Sequence, residues 1–369
     1  MRLRRATWLA LPLLFVAPAL AACSSSSSSS TSAAAAASTP ATSAAASSSS
    51  SSTATAASSG SLKTGLKVFV IPKNLGNSYF TTSDSVNSGG ALAALQTLSE
   101  TGSETSGTAD TPSSQIPAIQ AAISKGANAL VISATDPTAL CPTLEAAMKR
   151  GIAVVTYDSD APTCRSMFIN QATPQALGDS EVDLLASQIH DSGQIAIVSA
   201  SADDTNQNTW ISYMKQELKK FPKMSLVNTV YGNDDTATST SVTQGLLEQY
   251  PNLKGIISPT TVGIAAAAAV LDTAKYRGKI MLTGLGTPDE MKAYVKDGTV
   301  KSFELWNPAD LGFLAGYAAV NFASKKITSS AGGSFTAGKL GKFTVGTDGT
   351  ILLGPPFVFN KANISQFNF

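Results

Sequence analysis

One histidine, His190, and three cysteines in 369 residues leave little material for the commonest catalytic and metal chemistries. No H-E-x-x-H helix, C-x-x-C pair, P-loop or G-x-S-x-G nucleophile elbow occurs, and no metal-ligand spacing is present. His190 is followed by Asp191, Ser192 and Gly193, a helix-end composition, and reads as a solvated residue rather than a general base. Basic and acidic side chains number 26 and 25, with no basic patch and no basic-aromatic interleaving, so nothing points to a nucleic-acid partner. Beyond the N-terminal segment no apolar run approaches the 20 residues of a spanning helix. Residues 24–60 lack every large side chain: apart from Pro40 and Gly60 they are Ser, Ala and Thr. Such a tract buries nothing and is expected to stay disordered.

The chain opens with Arg2, Arg4 and Arg5 before the apolar stretch Ala6 to Ala19, then Leu20, Ala21, Ala22 and Cys23. Residues 1–22 are expected to be an export signal, too short for a spanning helix. The four residues LAAC resemble a bacterial lipobox, which implies cleavage before Cys23 and lipid on its sulfur; an ordinary secretory signal cut nearby is the alternative. Residues 23–61 then read as a tether, roughly 35 Å end to end as a flexible coil. The remaining 308 residues, 62–369, suit two domains. With Cys23 assigned to lipid, Cys141 and Cys164 are left as a pair in an oxidising compartment. A disulfide between them would close a 24-residue loop, worth about 3 kcal/mol in the chain-entropy picture. Free buried thiols are the alternative.

Strands and helices alternate along 62–369. The expected strands are Lys67–Pro72, Ala129–Ser133, Ala153–Tyr157, Gln194–Ser199, Leu226–Tyr231, Gly255–Ser258, Ile280–Thr283 and Val300–Leu305. Between the first two, one helix is expected to run to about Glu100 and a second to begin near Pro117. Later helices cover Leu144–Lys149, Pro174–Ile189, a stretch through Phe221, Gly245–Gln249, an alanine-rich run through Ala274, and Glu290–Val295. Ala153–Tyr157 is apolar and β-branched without polar alternation, which suits a parallel strand covered on both faces. Two successive α/β units with right-handed crossovers follow, with a cleft for a small ligand at the carboxyl ends of the strands.

The loops at those ends hold the chemistry. Asp158 and Asp160 are the one carboxylate pair with glycosidase-like potential, which needs carboxyls roughly 5–9 Å apart. The simpler reading makes Asp160, before Ala161 and Pro162, a turn former and Asp158 an acceptor for ligand hydroxyls. Gly284, Leu285 and Gly286 followed by Thr287, Pro288 and Asp289 are only a fragment of a dinucleotide fingerprint, with Pro288 fitting a helix start; no cofactor is expected. Lys73, Asn74, Asp158, Asn206, Gln207, Trp210, Trp306 and Asn307 supply amides, a carboxylate, a cation and aromatic faces. Sugar hydroxyls both donate and accept, and a sugar's apolar faces lie on aromatic rings, so this set suits a monosaccharide. Core packing is the competing role for Trp210 and Trp306.

Ile71, Pro72 and Lys73, then CPTLEAAMKRGIAVVTYDSDAPTCRSMFINQ, TNQNTW, GLGTPDEMKAYVKDGTVKSFELWNPADLG and the tail FNKANISQFNF together resemble the sugar-binding receptors of bacterial ABC importers, in the branch of rhamnose-binding and autoinducer-2-binding proteins. The resemblance implies two Rossmann-like lobes with parallel sheets, joined by a three-strand hinge with crossings near Gln171, Trp306 and Pro355. It implies a first lobe of 62–171 plus 306–354 and a second of 172–305 plus 355–369. It implies ligand contacts at Lys73, Asp158, Asn206, Gln207, Pro259 and Thr261. The autoinducer-2 receptors carry aspartate at the position of Asn206 and alanine at that of Thr261, whereas SPTTVGIAAAA and LWNPADLG look more like the rhamnose-binding members. The expectation is therefore a non-enzymatic, lipid-anchored, extracytoplasmic receptor, monomeric, carrying a sugar such as rhamnose to ABC permease membrane subunits, with an autoinducer-2 receptor as the alternative.

Overall fold

The computed structural model describes residues 61–369. The expected signal, the lipid-bearing Cys23 and all but the last residue of the tether lie outside them. In chain order the first part is β1 (Lys67–Ile71), α1 (Ser78–Asp84), α2 (Ala91–Thr97), β2 (Thr101–Glu104), α3 (Pro112–Ser124), β3 (Ala129–Ile132), α4 (Pro137–Lys149), β4 (Ala153–Tyr157) and β5 (Met167–Asn170). The second part is α5 (Pro174–Ile189), β6 (Ser192–Ser199), α6 (Thr205–Glu217), β7 (Lys223–Tyr231), α7 (Thr236–Gln249), β8 (Leu253–Ser258), α8 (Thr261–Leu271), β9 (Met281–Gly284), α9 (Pro288–Asp297) and β10 (Ser302–Leu305). The chain closes with α10 (Pro308–Ala323), β11 (Ser334–Thr336), β12 (Lys342–Thr344), β13 (Thr350–Leu352) and β14 (Phe357–Asn360).

These elements build an α/β molecule of two lobes, each on a parallel sheet. The first sheet has the order β13-β5-β4-β3-β1-β2 and the second β7-β6-β8-β9. Every ladder in both is parallel. Both faces of the inner strands β1, β3, β4 and β5 are dry, which explains why these strands read as continuous apolar runs. Val68, Val70, Val131, Val155 and Tyr157 pack with Leu311, Leu314, Ala315 and Ala318 of α10. The alternate residues Phe69, Ile71, Leu130, Ile132 and Val154 pack with Ile119 of α3 and with Leu140, Leu144 and Ala147 of α4. Successive side chains of a strand point to opposite faces, so a single strand feeds two hydrophobic layers.

Three passages link the lobes. The chain leaves the first sheet after β5, returns after β10 when α10 packs on β3 and β4, and leaves again after β13 so that β14 pairs antiparallel with β10. The closing residues then rest on the second lobe, where the Asp289 amide donates to the Phe369 carbonyl at 3.0 Å. Cys141 of α4 and Cys164 of the loop after β4 form a disulfide, closing a loop with a sequence separation of 23.

The expected single helix up to Glu100 is in fact two short ones. At Gly90 an added Cβ would lie 2.1 Å from the Ser83 carbonyl oxygen, so the chain turns tightly where helical periodicity suggested continuation. The edge strand β2 follows, fully exposed, without the apolar alternation that would have announced it. The next helix begins at Pro112 rather than Pro117. The Thr111 hydroxyl accepts the Ser114 amide and caps it, and Pro117 is accommodated inside the helix.

Candidate ligand-binding site

Parallel strands end on one side of a sheet, so the loops after β1, β3, β4, β6, β7, β8 and β10 converge between the lobes. They line a cavity of about 40 Å³. Lys73, two residues beyond β1, is 2% exposed and meets Asp204 from the second lobe, Nζ to Oδ2 3.0 Å. Burial alone would lower the Lys73 pKa, but Asp204 foremost, then Asp110, Asp158 and Asp234, hold it above its ordinary value. Burial in turn raises the pKa of Asp110, Asp158, Asp204 and Asp234, with Lys73 opposing it in each. One ammonium therefore faces the buried carboxyls of Asp110, Asp158 and Asp204 and the half-buried Asp234, and the site is rich in acceptors.

Asp158 follows β4 directly, in a left-handed conformation at φ 60° that turns the chain sharply at the strand end. Its Oδ2 accepts the Ser133 hydroxyl at 2.7 Å from the end of β3, and its backbone carbonyl accepts the Asn206 side-chain amide at 3.4 Å. Asp160 has other work. Its Oδ1 takes the Arg165 Nε at 2.6 Å, the Thr156 hydroxyl at 2.6 Å and the Ala161 amide at 2.8 Å. It is absent from the wall of this cavity, and its Oδ1 is held by the buried Arg165 ion pair.

From the second lobe come Asn206, Gln207 and Trp210 of α6, Asp234 after β7, and Pro259, Thr260 and Thr261 at the junction of β8 and α8. Gln207 is braced: its Oε1 accepts the Ser199 hydroxyl at 2.7 Å and the Ala200 amide at 2.9 Å. The Thr260 hydroxyl donates to Asp234. Gly284, at φ 139°, would bring an added Cβ within 2.0 Å of the Ser258 carbonyl oxygen. Its missing side chain lets β9 close on β8 and delivers Leu285 to the wall. Trp306, immediately after β10, is edge-on to Tyr79 at 6.0 Å and to Trp210 at 6.2 Å. Phe80, Leu285 and Leu305 extend this apolar side.

Of the residues expected from sequence, Lys73, Asp158, Asn206, Gln207, Pro259, Thr261, Trp210 and Trp306 meet at the cavity. Asn74 and Asn307 do not. Asn74 is buried off the cavity wall, its side-chain oxygen without a protein hydrogen-bond partner. Asn307 caps α10, its Oδ1 accepting the Ala309 amide at 3.0 Å; asparagine before proline at a helix start carries that signal. The readings missed Asn77, Tyr79, Phe80, Asp234, Thr260, Leu285 and Leu305 on the wall, and Asp110 and Asp204 around Lys73. Asp204 and Asp234 both follow strand ends, where a search for acidic residues would have found them. His190 is exposed at the end of α5. Among the described residues no group of three or more His, Cys, Asp or Glu side chains is placed to hold a metal ion, and no helix is long and apolar enough to cross a membrane.

Residues 68–327 match the model of the periplasmic binding protein domain. The chain is similar to a sugar ABC transporter protein of Actinomyces odontolyticus at 42% identity, covering 82% of this chain and 98% of that one, with a TM-score of 0.65. It is similar to a solute-binding protein of Clostridium phytofermentas with bound L-rhamnose at 34% identity, covering 82% and 98%, with a TM-score of 0.79. LsrB of Clostridium saccharobutylicum, in complex with AI-2, shares the fold at 24% identity, covering 82% and 100%, with a TM-score of 0.77.

Proposed function

The chain belongs to the periplasmic binding protein domain family, and on that premise we propose that it is the substrate-binding protein of a sugar ABC transporter, with rhamnose as its first candidate ligand. The observation that carries the reading is the acceptor-rich cavity with one ammonium and an aromatic wall. Neutral polyols supply the donors that surplus carboxylates require. Sugar acids and sugar phosphates would bring negative charge against carboxylates that Lys73 already leaves in excess, so the site selects against them. Lys73 keeps donors beyond its bond to Asp204, Asp158 accepts from hydroxyls, and Asn206 with Gln207 fixes stereochemistry. Pro259 and Thr261 shape the far wall, and Trp306 offers a face to the ring.

The lobes in this reading are 62–171 with 306–354 and 172–305 with 355–369, closing by rotation about the three crossings. The closed form delivers sugar to the permease subunits without chemical conversion. Cys23 carries the lipid, and the receptor is an extracytoplasmic monomer held to the membrane. The C. phytofermentas relative with bound L-rhamnose supports the sugar. Autoinducer-2 is the second reading, supported by Lys73, Asp158, Gln207 and Pro259 and opposed by Asn206 and Thr261.

A thermal-shift panel of L-rhamnose, other deoxyhexoses, aldohexoses, pentoses, a uronic acid and autoinducer-2 tests this. A ligand at 100 times its Kd adds about 2.7 kcal/mol to stability. The expected outcome is the largest shift with L-rhamnose and none with the uronic acid. A melt that no neutral monosaccharide moves overturns the reading, and a shift with autoinducer-2 alone selects the alternative.

A further inference from the structure

The cavity at Lys73 has a neighbour. Beyond its wall lies a second space of about 190 Å³, several times larger, and the two share Asp158, Asn206 and Trp210. The second space in turn shares Asp160, Phe168, Asn170 and Pro174 with a groove of about 560 Å³ lined from β5 and β13. Three spaces thus follow one another from the buried ammonium to the surface, where Lys342, Thr347 and Asp348 are exposed. The partition between the first two is thin. Part of it is the contact of the Asn206 side-chain amide with the Asp158 carbonyl, 3.4 Å long, a length at which a hydrogen bond is weak. Thr205 makes a similar reach across the cleft, its hydroxyl donating to the Asp160 carbonyl at 3.3 Å. The rest is Trp210, fixed from the side of the first cavity. Trp306 meets it edge-on at 6.2 Å, and the Trp306 indole N–H goes to the Tyr79 hydroxyl at 3.0 Å.

We propose that the second space is a subsite for a second sugar ring, so that the ligand is a neutral glycoside whose terminal sugar sits at Lys73 and Asp158. Its lining is mixed in the way a pyranose requires. Trp210 and Phe168 bring apolar faces, and Asn170, Thr205 and Thr209 bring amide and hydroxyl groups. Phe168 is held in place: it is 8% exposed, and the Arg165 guanidinium lies over its ring at 5.6 Å. Among the described residues no lysine or arginine lines this space, so a phosphate or carboxylate finds no partner there beside Asp158 and Asp160. A glycosidic oxygen at the partition carries no proton and accepts from the Asn206 amide in place of the Asp158 carbonyl. The link between two rings therefore leaves no donor unpaired. Further units of an oligosaccharide would lead out along the groove. The inference rests on the sugar reading of the first cavity and deepens it.

The test is calorimetric titration of the full chain with L-rhamnose and with disaccharides of rhamnose joined through each of its hydroxyls. At least one disaccharide is expected to bind about tenfold tighter than the monosaccharide, the gain of one or two hydrogen bonds. Thr209 is exposed on α6 and stands outside the first cavity, so Thr209→Trp fills the second space without touching the core. It should return that disaccharide to the affinity of L-rhamnose or below, and leave L-rhamnose itself unchanged. Thr209→Ala, which opens the space, should keep the gain. If L-rhamnose binds and every disaccharide binds more weakly, the second subsite alone is overturned. A Thr209→Trp variant that keeps the full gain, or that weakens both ligands equally, overturns it too. Binding of neither the monosaccharide nor any disaccharide overturns the sugar reading, and the subsite with it.

Discussion

Two groups of buried carboxylates in this protein differ in whether a cation stands near them. Around Lys73, Asp110, Asp158, Asp204 and Asp234 gather from both lobes, and the ammonium works against the desolvation that favours their neutral forms. Between α5 and β10, Glu181 and Glu304 are buried with no such cation. Burial raises Glu304 to about 7, with the Ser180 hydroxyl opposing it at 2.5 Å. Burial, and then Glu304, push Glu181 well above the carboxylate range. Neither oxygen of Glu181 has a protein hydrogen-bond partner. Lys73 opposes that rise in the first group without cancelling it, Asp110 still reaching about 8 and Asp204 about 6, whereas no cation opposes it at Glu181 and Glu304. The first group lines or flanks the cavity, and the second packs beside the chain passage between lobes.

The strongest way to break this contrast is Lys73→Met, which strips the first region of its cation. Losing one partner of a buried charged cluster should cost about 3–5 kcal/mol, read by denaturant unfolding, together with loss of sugar binding. A variant as stable as the wild type would show that the carboxylates need no counter-ion. Next, Asp158→Ala should weaken monosaccharide binding at least about a hundredfold, the scale of truncating a buried hydrogen-bonded charge, while the fold survives; an unfolded variant would make Asp158 structural instead. Third, Cys141→Ser with Cys164→Ser should cost about 3 kcal/mol, because the unfolded chain regains the freedom of the closed loop. Sugar affinity should fall by less than in Asp158→Ala, since the disulfide only pins the segment that carries it.

The smallest effect sharpens the second region. A carboxyl whose folded pKa is raised stabilises the fold fully below its ordinary value of about 4 and loses that contribution as pH climbs toward the folded value. Glu181→Gln keeps the shape and removes the titration. Its stability should match the wild type near pH 4 and exceed it by at least about 1 kcal/mol at pH 8; a constant difference across that range would rule out a buried neutral Glu181. Asp84 adds to the same slope: burial raises it to about 8 despite hydrogen bonds from Ser83 and the Tyr157 hydroxyl, the latter at 2.8 Å.

Much of the lobe architecture was legible because β4, at Ala153–Tyr157, and its neighbours are buried on both faces, and short β-branched apolar runs between turn signals suit a covered parallel sheet. Lys73 and Asp158 were legible as candidate site residues because each follows an expected strand, whereas Pro259 and Thr261 came only from the family resemblance. Tyr79 falls in the loop expected after the first strand, rich in donors and aromatics, and only the structure puts it in the first turn of α1 facing the cavity. Asn307 was misplaced for the converse reason: a polar residue beside Trp306 resembles a ligand contact, and only the helix start at Pro308 shows its side chain occupied with capping.

By itself the sequence determined the alternation of strands and helices, the two α/β units, and the strand ends at which polar side chains accumulate. These are local properties, set by which residues can be buried on a pleated strand and which cannot. Tertiary structure alone decided that Lys73 would pair with Asp204 across the cleft, that Asp160 would turn to Arg165 instead of joining Asp158, and that Trp306 would give its N–H to Tyr79. Each joins side chains by direction and distance, and direction is set only when sheets twist, helices cross and the two lobes come together.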